Sequence, residues 1–444
     1  MGRMFIKLRN NKGVALIVTF LVITVLVIYS VVLFSVSINQ NITADIFRRR
    51  ARAFNLAEAG LDHAVTWLRA QPSPPVGDRT NPWGGAQNLG GGSYSVIITD
   101  LGAIGGSENI RRYKVTSTGS FGNMSRVLTN YLQVDNYARY IWFTDSETFN
   151  GTTVWFWTQD YLNGPIHTNA HFNIFGNPVF AGEAGSTDDY IRFYNNGHNI
   201  NLSQLTNPPY DIPDFQQGLD FGAEPITMPS QALNLRSAAS NGGLWLQGNT
   251  AVVLNSNGTM NVTNSSYCNP PSKCNNMALP ANSALFVACS GWHCSNGGSL
   301  TVSGTLDGRL TVGAQRDIII PNNIVYADDP RINPNSDDVL GIIAERDVVI
   351  SQNAPTDLEI DSSIMALDTS FMLQNWWTGL KGTLTVYGGI IQDERGPVGT
   401  FNGATGQKIS GYSKNYSYDP RLLNTPPPFM PTTGDYITLS WEED

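Results

Sequence analysis

The feature that most constrains this chain is a stretch without any charged residue, residues 13–44. Its centre, residues 14–34, consists almost wholly of aliphatic residues, phenylalanine and threonine. About 20 apolar residues in a helix, at roughly 1.5 Å each, cross the hydrocarbon core of a bilayer. The sequence therefore predicts one transmembrane helix near the N-terminus.

The charges that flank this stretch predict its orientation. The first twelve residues contain no acid and these basic residues: Arg3, Lys7, Arg9 and Lys12. The positive-inside rule then keeps the N-terminus in the cytoplasm and places the long remainder outside. A second basic group weakly opposes this orientation from the other flank: Arg48, Arg49, Arg50 and Arg52.

The apolar stretch is longer than the apolar region of a secretory signal peptide, which has about 7 to 15 residues, and it ends in a polar helix rather than an A-x-A cleavage site. Residues 45–70 continue it with apolar side chains at helical spacing: Phe54, Ala57, Leu61, Ala64, Val65 and Leu68. We expect one continuous helix over residues 14–70, about 85 Å long at 1.5 Å per residue.

The rest of the chain is predicted to be mainly β structure, giving an α+β fold class. Only 14% of the 444 residues are charged and 43 are glycine, a composition that suits turn-rich β structure. Residues 71–92, rich in proline and glycine, end the helix. Three strand-like runs follow, residues 94–99, 112–118 and 126–134, and predict a small antiparallel sheet on the helix within residues 71–134.

Residues 135–444 are predicted to form a large second β domain with an internal repeat at about residues 310–368. Residues 314–320 are echoed by residues 344–350, and residues 322–328 by residues 362–368; the unequal offsets imply an insertion near residues 353–357. Short β runs recur here every 6 to 10 residues. This spacing favours a β-helix or similar solenoid, with a β-sandwich as the alternative.

The N-terminal region resembles that of PilX-type minor pilins and K-type pseudopilins. The resemblance lies in residues 12–18 (KGVALIV), the long apolar helix, and residues 52–61 (RAFNLAEAGL). It implies that a prepilin peptidase cuts between Gly13 and Val14, removes residues 1–13 as a leader, and methylates the new N-terminus. It also implies an inner-membrane protein whose helix packs with other pilins or pseudopilins.

One position departs from the pattern of major pilins. They usually carry glutamate at the fifth mature position, where it can neutralise a neighbour's N-terminal amine, whereas this chain has Val18. An apolar residue cannot supply that counter-charge, which indicates a minor or tip component. The predicted filament-helix residues are Val18, Phe54, Ala57, Glu58 and Leu61.

A second resemblance follows the sheet. Residues 162–169 (LNGPIHTN), 173–174 and 176–180 are similar to the uncharacterised domain DUF4900, found behind PilX-type N-termini. It implies no biochemical role.

Four cysteines lie close together: Cys268, Cys274, Cys289 and Cys294. Their spacing departs from the usual C-x2-4-C zinc pattern, and the predicted compartment is oxidising, so disulfides are favoured over zinc. Four cysteines permit three connectivities, which the sequence does not distinguish; the local pairs Cys268–Cys274 and Cys289–Cys294 are our hypothesis.

Other polar motifs indicate no catalytic residue, metal site or cofactor. His167 and His171 lie in a segment whose Gly164, Pro165 and Asn169 oppose a helix, and the acidic pairs do not match a calcium loop: Asp188-Asp189, Asp328-Asp329 and Asp337-Asp338. Asp317 and Asp347 occupy equivalent repeat positions, which favours a role in turns.

The tryptophans form the last candidate group: Trp142, Trp155, Trp157, Trp376 and Trp377. They could form an exposed patch for a glycan or another surface ligand, although large aromatic residues more often pack in cores.

These observations predict a minor pilin or pseudopilin-like structural component that displays a β-rich domain for assembly or adhesion. Its partners would be other pilins, the prepilin peptidase and the inner membrane. A net charge of −9 argues against nucleic acid as a partner. Two alternatives stay open: a surface polysaccharide-active enzyme anchored by a pilin helix, and an uncleaved single-span envelope protein.

Overall fold

The structure, a computed structural model, describes residues 12–194, 199–200, 211–291, 297–403 and 405–443. It begins with one long helix, α1 (Lys12–Arg69). The predicted helix, residues 14–70, differs from α1 by two residues at the start and one at the end. Pro72 and Pro74 follow the helix and prevent its continuation because proline lacks the backbone N–H.

An antiparallel sheet covers the second half of α1. Its first strands are β1 (Arg79–Thr80), β2 (Gln87–Leu89), β3 (Gly92–Ile104), β4 (Ser107–Phe121) and β5 (Met124–Asn136). The three long strands contain the three predicted runs. Every second residue along most of β4 is buried and faces the helix, because successive side chains of a strand point to opposite faces of the sheet.

Glycine allows β4 to approach the helix backbone closely. A Cβ atom at Gly119 would lie 2.1 Å from the carbonyl oxygen of Ala53 and 2.3 Å from the amide nitrogen of Ala57. Such distances exclude any side chain, so the glycine is needed for the observed packing.

A second module consists of stacked coils of short, mainly parallel strands, and we call it the coil stack. Its first part contains β6 (Trp142–Ser146), β7 (Thr148–Phe149), β8 (Thr152–Thr153), β9 (Phe156–Trp157), β10 (Tyr161–Asn163), β11 (Ile166–Thr168), β12 (Asn173–Phe175), β13 (Val179–Phe180), β14 (Ala184–Ser186), β15 (Ile191–Phe193), β16 (Asn199–Ile200), β17 (Asp214–Phe215) and β18 (Leu219–Phe221).

A short helix, α2 (Leu233–Ser240), leads into the second part. It contains β19 (Leu244–Gln247), β20 (Thr250–Asn255), β21 (Thr259–Thr263), β22 (Met277–Ala278), β23 (Ala284–Ala288), β24 (Leu300–Leu306), β25 (Arg309–Ala314), β26 (Ile318–Ile320), β27 (Ile324–Tyr326), β28 (Val339–Ala344), β29 (Val348–Ile350), β30 (Leu358–Ala366), β31 (Phe371–Leu373), β32 (Leu380–Glu394), β33 (Gly399–Phe401) and β34 (Lys408–Tyr418).

Parallel pairing runs through the whole coil stack. One face follows the order β19-β23-β25-β28-β30-β32-β6-β11-β14-β18. Another follows β24-β27-β30-β32-β34-β10-β13-β17. Such a parallel arrangement fits the predicted solenoid-like domain and not the antiparallel β-sandwich. The predicted fold class, a long N-terminal helix followed by a mainly β domain, is confirmed.

The chain does not enter the coil stack at an end. It enters at β6, in the middle, and continues through β11 and β14 to β18 at one end. It then crosses through α2 to β19 at the other end and returns to the middle, where β32 pairs with β6 and β34 pairs with β10. The first and last coils of the sequence are therefore neighbours in space.

The first sequence repeat is a structural repeat. Ala314 pairs with Ala344 and Ile320 with Ile350, so residues 314–320 and 344–350 occupy equivalent positions in adjacent coils. The second predicted repeat, which matched residues 322–328 with residues 362–368, is wrong as a structural repeat. Ile324 pairs with Ile360, whereas Ile364 pairs with Ile342 on another face, because β30 turns a corner of the coil. The offset between paired residues grows from 30 at Ile320–Ile350 to 36 at Ile324–Ile360, so six extra residues lie between Ile350 and Ile360, around the predicted insertion at residues 353–357.

The predicted boundary at residue 134 needs a correction. The last strand, β35 (Thr432–Glu443), leaves the coil stack and pairs antiparallel with β5, completing the sheet on α1. A continuous buried cluster then joins the two modules, with Leu61 of the helix, Val115 of the sheet, and Phe286 and Ile343 of the coil stack. This cluster packs the two modules together, while a separate buried cluster, which includes Ile318 and Ile350, lies within the coil stack alone.

Candidate functional site

The N-terminal half of α1 packs against no other element of the part of the chain that the structure describes. Its apolar side chains are exposed, and none of its most apolar segment is buried. Within the described residues, α1 is the one helix long and apolar enough to cross a membrane. Exposure of this much apolar surface is unfavourable in water and favourable in a bilayer or among similar helices.

The predicted processing residues lie at the start of this helix. Gly13 and Val14 belong to the first turn of α1. Val18, the residue at the fifth mature position, is 55% exposed and lies on the unpartnered half. Residues 1–11, which include most of the predicted leader, lie outside the described residues.

The other predicted filament-helix residues have different surroundings. Ala57 and Leu61 are buried under the chain's own sheet, and Phe54 packs edge-on against Trp441 of β35 at 6.3 Å between ring centroids. Glu58 is exposed. Ala57 and Leu61 are thus unavailable for contacts with another subunit.

The structure contains a disulfide between Cys268 and Cys274, one of the two local pairs suggested from the sequence. It closes the turn that carries a short 3-10 helix, Pro271–Cys274. Cys289 is also disulfide-bonded. Its suggested partner, Cys294, lies outside the described residues.

Both histidines, and several of the acids singled out from the sequence, have partners within the protein. His167 is buried, and its Nε2 atom lies 2.9 Å from Asn169 Oδ1; burial lowers the pKa of this imidazole. His171 Nδ1 lies 2.9 Å from Asp188 Oδ2. Asp317 binds the guanidinium of Arg346, and Asp347 accepts a hydrogen bond from the Thr369 hydroxyl. Asp317 and Asp347 hold turns between coils, as their repeat positions indicate.

Four of the five selected tryptophans line one cleft of about 570 Å³: Trp155, Trp157, Trp376 and Trp377. Clefts of roughly 300 to 1,000 Å³ are typical of small-molecule sites. Trp142 is not part of it; this indole is buried in the coil stack, where its ring stacks 6.2 Å from that of Tyr416. We call this space the aromatic cleft.

The rings of the aromatic cleft are set at different angles. Trp157 lies parallel to Phe401 at 5.6 Å, whereas Trp155 meets Tyr194 edge-on at 5.1 Å. Trp376 and Trp377 are perpendicular, with centroids 5.5 Å apart. Trp377 is 60% exposed. An indole with so much free surface can stack against a ligand.

Among the described residues, the polar lining of the cleft contains cations but no carboxylate. Lys408 and Lys414 contribute ammonium groups, and Asn150, Thr153 and Thr400 contribute uncharged polar groups. Lys408 Nζ donates to the carbonyl oxygens of Lys381 at 2.6 Å and Gly382 at 3.0 Å. Burial lowers the pKa of Lys408, because removal from water disfavours an ammonium ion.

A buried ionic network lies behind the cleft. Arg395 Nη1 donates to Glu147 Oε2 at 2.8 Å, and Lys414 Nζ donates to Asp160 Oδ2 at 2.7 Å. Arg395 also donates from Nη2 to the carbonyl of Trp155 at 3.1 Å, which fixes that part of the cleft wall. Because Asp160 compensates the charge of Lys414, Lys408 is the cleft ammonium without a carboxylate contact among the described ion pairs.

Sequence reasoning selected the tryptophans but not their grouping. Trp155 and Trp377 are more than two hundred residues apart, and they meet because the first and last coils are adjacent. Phe401, Tyr194 and Lys408 were missed. Their local sequence carries no motif, so only the coil pairing could have indicated them.

Comparison with known proteins gives a partial relationship. The family profile "Domain of unknown function (DUF4900)" matches residues 108–188, less than a fifth of the 444 residues. The matched region begins in the sheet, at β4, and ends in the coil stack, and it contains the residues for which the resemblance was noted. No curated protein matches the chain significantly.

One solved structure that matches the chain is the crystal structure of the competence-associated pilin ComZ from Thermus thermophilus. It is 11% identical, with a TM-score of 0.34, over 89% of this chain and 98% of that chain. A likeness at that TM-score carries no conclusion about this chain.

Proposed function

We propose that this chain is a pilin-like or pseudopilin-like structural component of a filament or secretion apparatus. The observation that carries the proposal is the division of one continuous helix, α1, into an exposed apolar half and a half packed under an antiparallel sheet. The exposed half spans the inner membrane before assembly and packs against helices of other subunits afterwards. The chain's N-terminus is cytoplasmic and both modules lie on the outer side.

We further propose a minor position at or near the filament tip. Val18 carries no charge with which to neutralise a neighbour's N-terminal amine. The coil stack adds roughly 300 residues to the small sheet on the helix, and a body of that size would crowd a helical lattice of subunits. At a tip, it has room and is displayed.

N-terminal sequencing of the mature chain tests the proposal. We expect cleavage by prepilin peptidase between Gly13 and Val14, so that the mature chain begins at a methylated Val14. A Gly13→Leu variant should retain residues 1–13, because a bulky residue before the cleaved bond obstructs the peptidase. Gly2→Leu provides the matched control and should be processed normally.

An intact Met1 in the wild-type chain, produced together with the peptidase, would remove the pilin-like assignment. It would leave the plain single-span envelope protein as the better description.

A further inference from the structure

We propose that the aromatic cleft is a binding site for an acidic carbohydrate, a sugar that carries at least one carboxylate or similar anionic group. The inference concerns a different surface from α1 and goes beyond the filament role. It would hold equally if α1 served only as a membrane anchor.

The shape of the cleft favours a sugar. Pyranose rings present C–H groups on their faces, and these carry partial positive charge that is attracted to the negative face of an indole. Trp377 offers a largely exposed indole, and the perpendicular Trp376 beside it forms a corner. A volume of about 570 Å³ accommodates two or three sugar rings.

Hydrogen-bonding groups stand among the aromatic rings. Asn150, Thr153 and Thr400 lie in the lining, where their side chains can bind sugar hydroxyls. Thr153 Oγ1 accepts a hydrogen bond from Arg192 Nη1 at 2.8 Å, and Thr400 Oγ1 lies 2.7 Å from Ser410 Oγ. Each hydroxyl keeps further hydrogen-bonding capacity that a sugar hydroxyl can use and an apolar ligand cannot. The mixture of ring faces and uncharged polar groups therefore suits a carbohydrate better than a hydrocarbon chain.

The charge of the cleft favours an anionic sugar. The chain has a net charge of −9, yet the lining contains two lysines and no acid. Lys414 is paired with Asp160, but Lys408 is held only by the two backbone carbonyls within the described contacts. Asp357 acts on Lys408 through space, but no described ion pair or hydrogen bond joins the two side chains. A ligand carboxylate beside Lys408 would supply a counter-charge in direct contact.

The same charges disfavour a nucleic acid. Single-stranded nucleic acids also stack on aromatic rings, but their binding requires a cationic groove that follows successive phosphates. The cations here are Lys408, Lys414, which is paired with Asp160, and Arg192, which lies 5.5 Å from the centroid of the Trp155 ring. So few cations in an acidic protein do not provide such a groove.

The test measures binding to the full-length chain in detergent micelles by isothermal titration calorimetry. The probes are trigalacturonate and sialyllactose, each with a matched neutral sugar, the methyl ester of trigalacturonate and lactose. We expect at least one acidic probe to bind and its neutral counterpart to bind at least about tenfold more weakly, the ratio expected from one charge-assisted hydrogen bond.

Two variants locate the binding site. Trp377→Ala removes an exposed ring, and Lys408→Gln removes the charge but retains an N–H donor; each should weaken binding about tenfold. Trp441→Ala provides a matched control, since Trp441 is 48% exposed on β35, outside the cleft lining, and should leave binding unchanged.

Three results would overturn the inference. They are the absence of binding by both acidic probes, equal binding of the neutral sugars, and binding that Trp377→Ala does not weaken. Tighter binding of a single-stranded oligothymidylate than of either acidic sugar would also overturn it and would make a nucleic acid the ligand. None of these results would affect the N-terminal processing expected of a pilin-like chain.

Discussion

At the scale of single residues, the most unusual feature is a fully buried arginine at the junction of the first and last coils. Arg395 is 1% exposed, as is its partner Glu147, and its guanidinium lies 3.5 Å from the centroid of the Phe156 ring. Burial of this pair requires removal of both charges from water, so each partner depends on the other. The pair joins a residue that follows β6 to one that follows β32, strands paired across the junction.

We expect Arg395→Met to destabilise the protein by about 3 to 5 kcal/mol, because Glu147 would remain buried without its counter-charge. The measurement is chemical unfolding of the full-length chain in detergent, followed by tryptophan fluorescence. The control is Arg346→Met. Arg346 forms a partly exposed ion pair with Asp317, so its loss should destabilise the protein by at most about 1 kcal/mol. Similar losses in the two variants would contradict the role assigned to the buried pair.

A second residue predicts the pH dependence of stability. Burial raises the pKa of Asp361 to about 7, while Arg331 opposes this shift. The folded protein therefore binds this proton more tightly than the unfolded chain, whose aspartate has a pKa near about 4. The contribution of Asp361 to stability is fully present below about pH 4 and is lost as the pH rises through about 7.

The free energy of unfolding should decrease less steeply between about pH 4 and pH 7 in Asp361→Asn than in the wild type, as measured by unfolding at a series of pH values. Asp329→Asn is the control. Burial raises the pKa of Asp329, but hydrogen bonds from Arg331 outweigh this and the net pKa is lowered, so its effect lies at lower pH. An unchanged slope in Asp361→Asn would contradict the assigned titration.

At the scale of elements, β35 determines how the two modules are connected. It pairs with β5 although about three hundred residues separate the two strands, and Ser440 lies opposite Tyr131. The strand follows a proline-rich segment whose carbonyls accept hydrogen bonds from Arg309 and Thr311 of the coil stack. The sheet on α1 is thereby joined to the coil stack twice: β5 leads into the coil stack, and β35 returns from it to the sheet.

Cysteines at Ser440 and Tyr131 should form a disulfide in an oxidising environment, because directly opposed residues of antiparallel strands have suitably close Cβ atoms. Cysteines at Ser440 and Asn130 should not, since Asn130 points to the other face of the sheet. Peptide mapping under non-reducing conditions distinguishes the two pairs. Cross-linking of the second pair alone would show a different register.

The sequence predicted those elements whose pattern is local. The helix follows from apolar spacing, and the three long strands of the sheet from alternating runs between turn residues. β35 could not be predicted as part of the sheet, since seven of its twelve residues are exposed and its partner is distant in sequence. The second predicted repeat was wrong because β30 turns a corner of the coil, so the similar residues Ile324 and Ile364 pair on different faces.

At the scale of the whole molecule, the path of the chain explains why the aromatic cleft was beyond sequence reasoning. The chain begins the coil stack in its middle and finishes beside its own starting point. Residues from both passes then line one cleft. The tryptophans could be selected by residue type. They line one cleft only because the first and last coils pair with each other, and no local sequence pattern predicts that pairing.

For the whole molecule, we propose that the chain leaves the membrane and joins a filament. The most direct measurement is the location and N-terminus of the chain in cells that produce it, with surface filaments sheared off and separated from membranes. We expect a small amount of this chain in the sheared filaments, beginning at Val14. Recovery of the chain only in membranes, with Met1 intact, would contradict it.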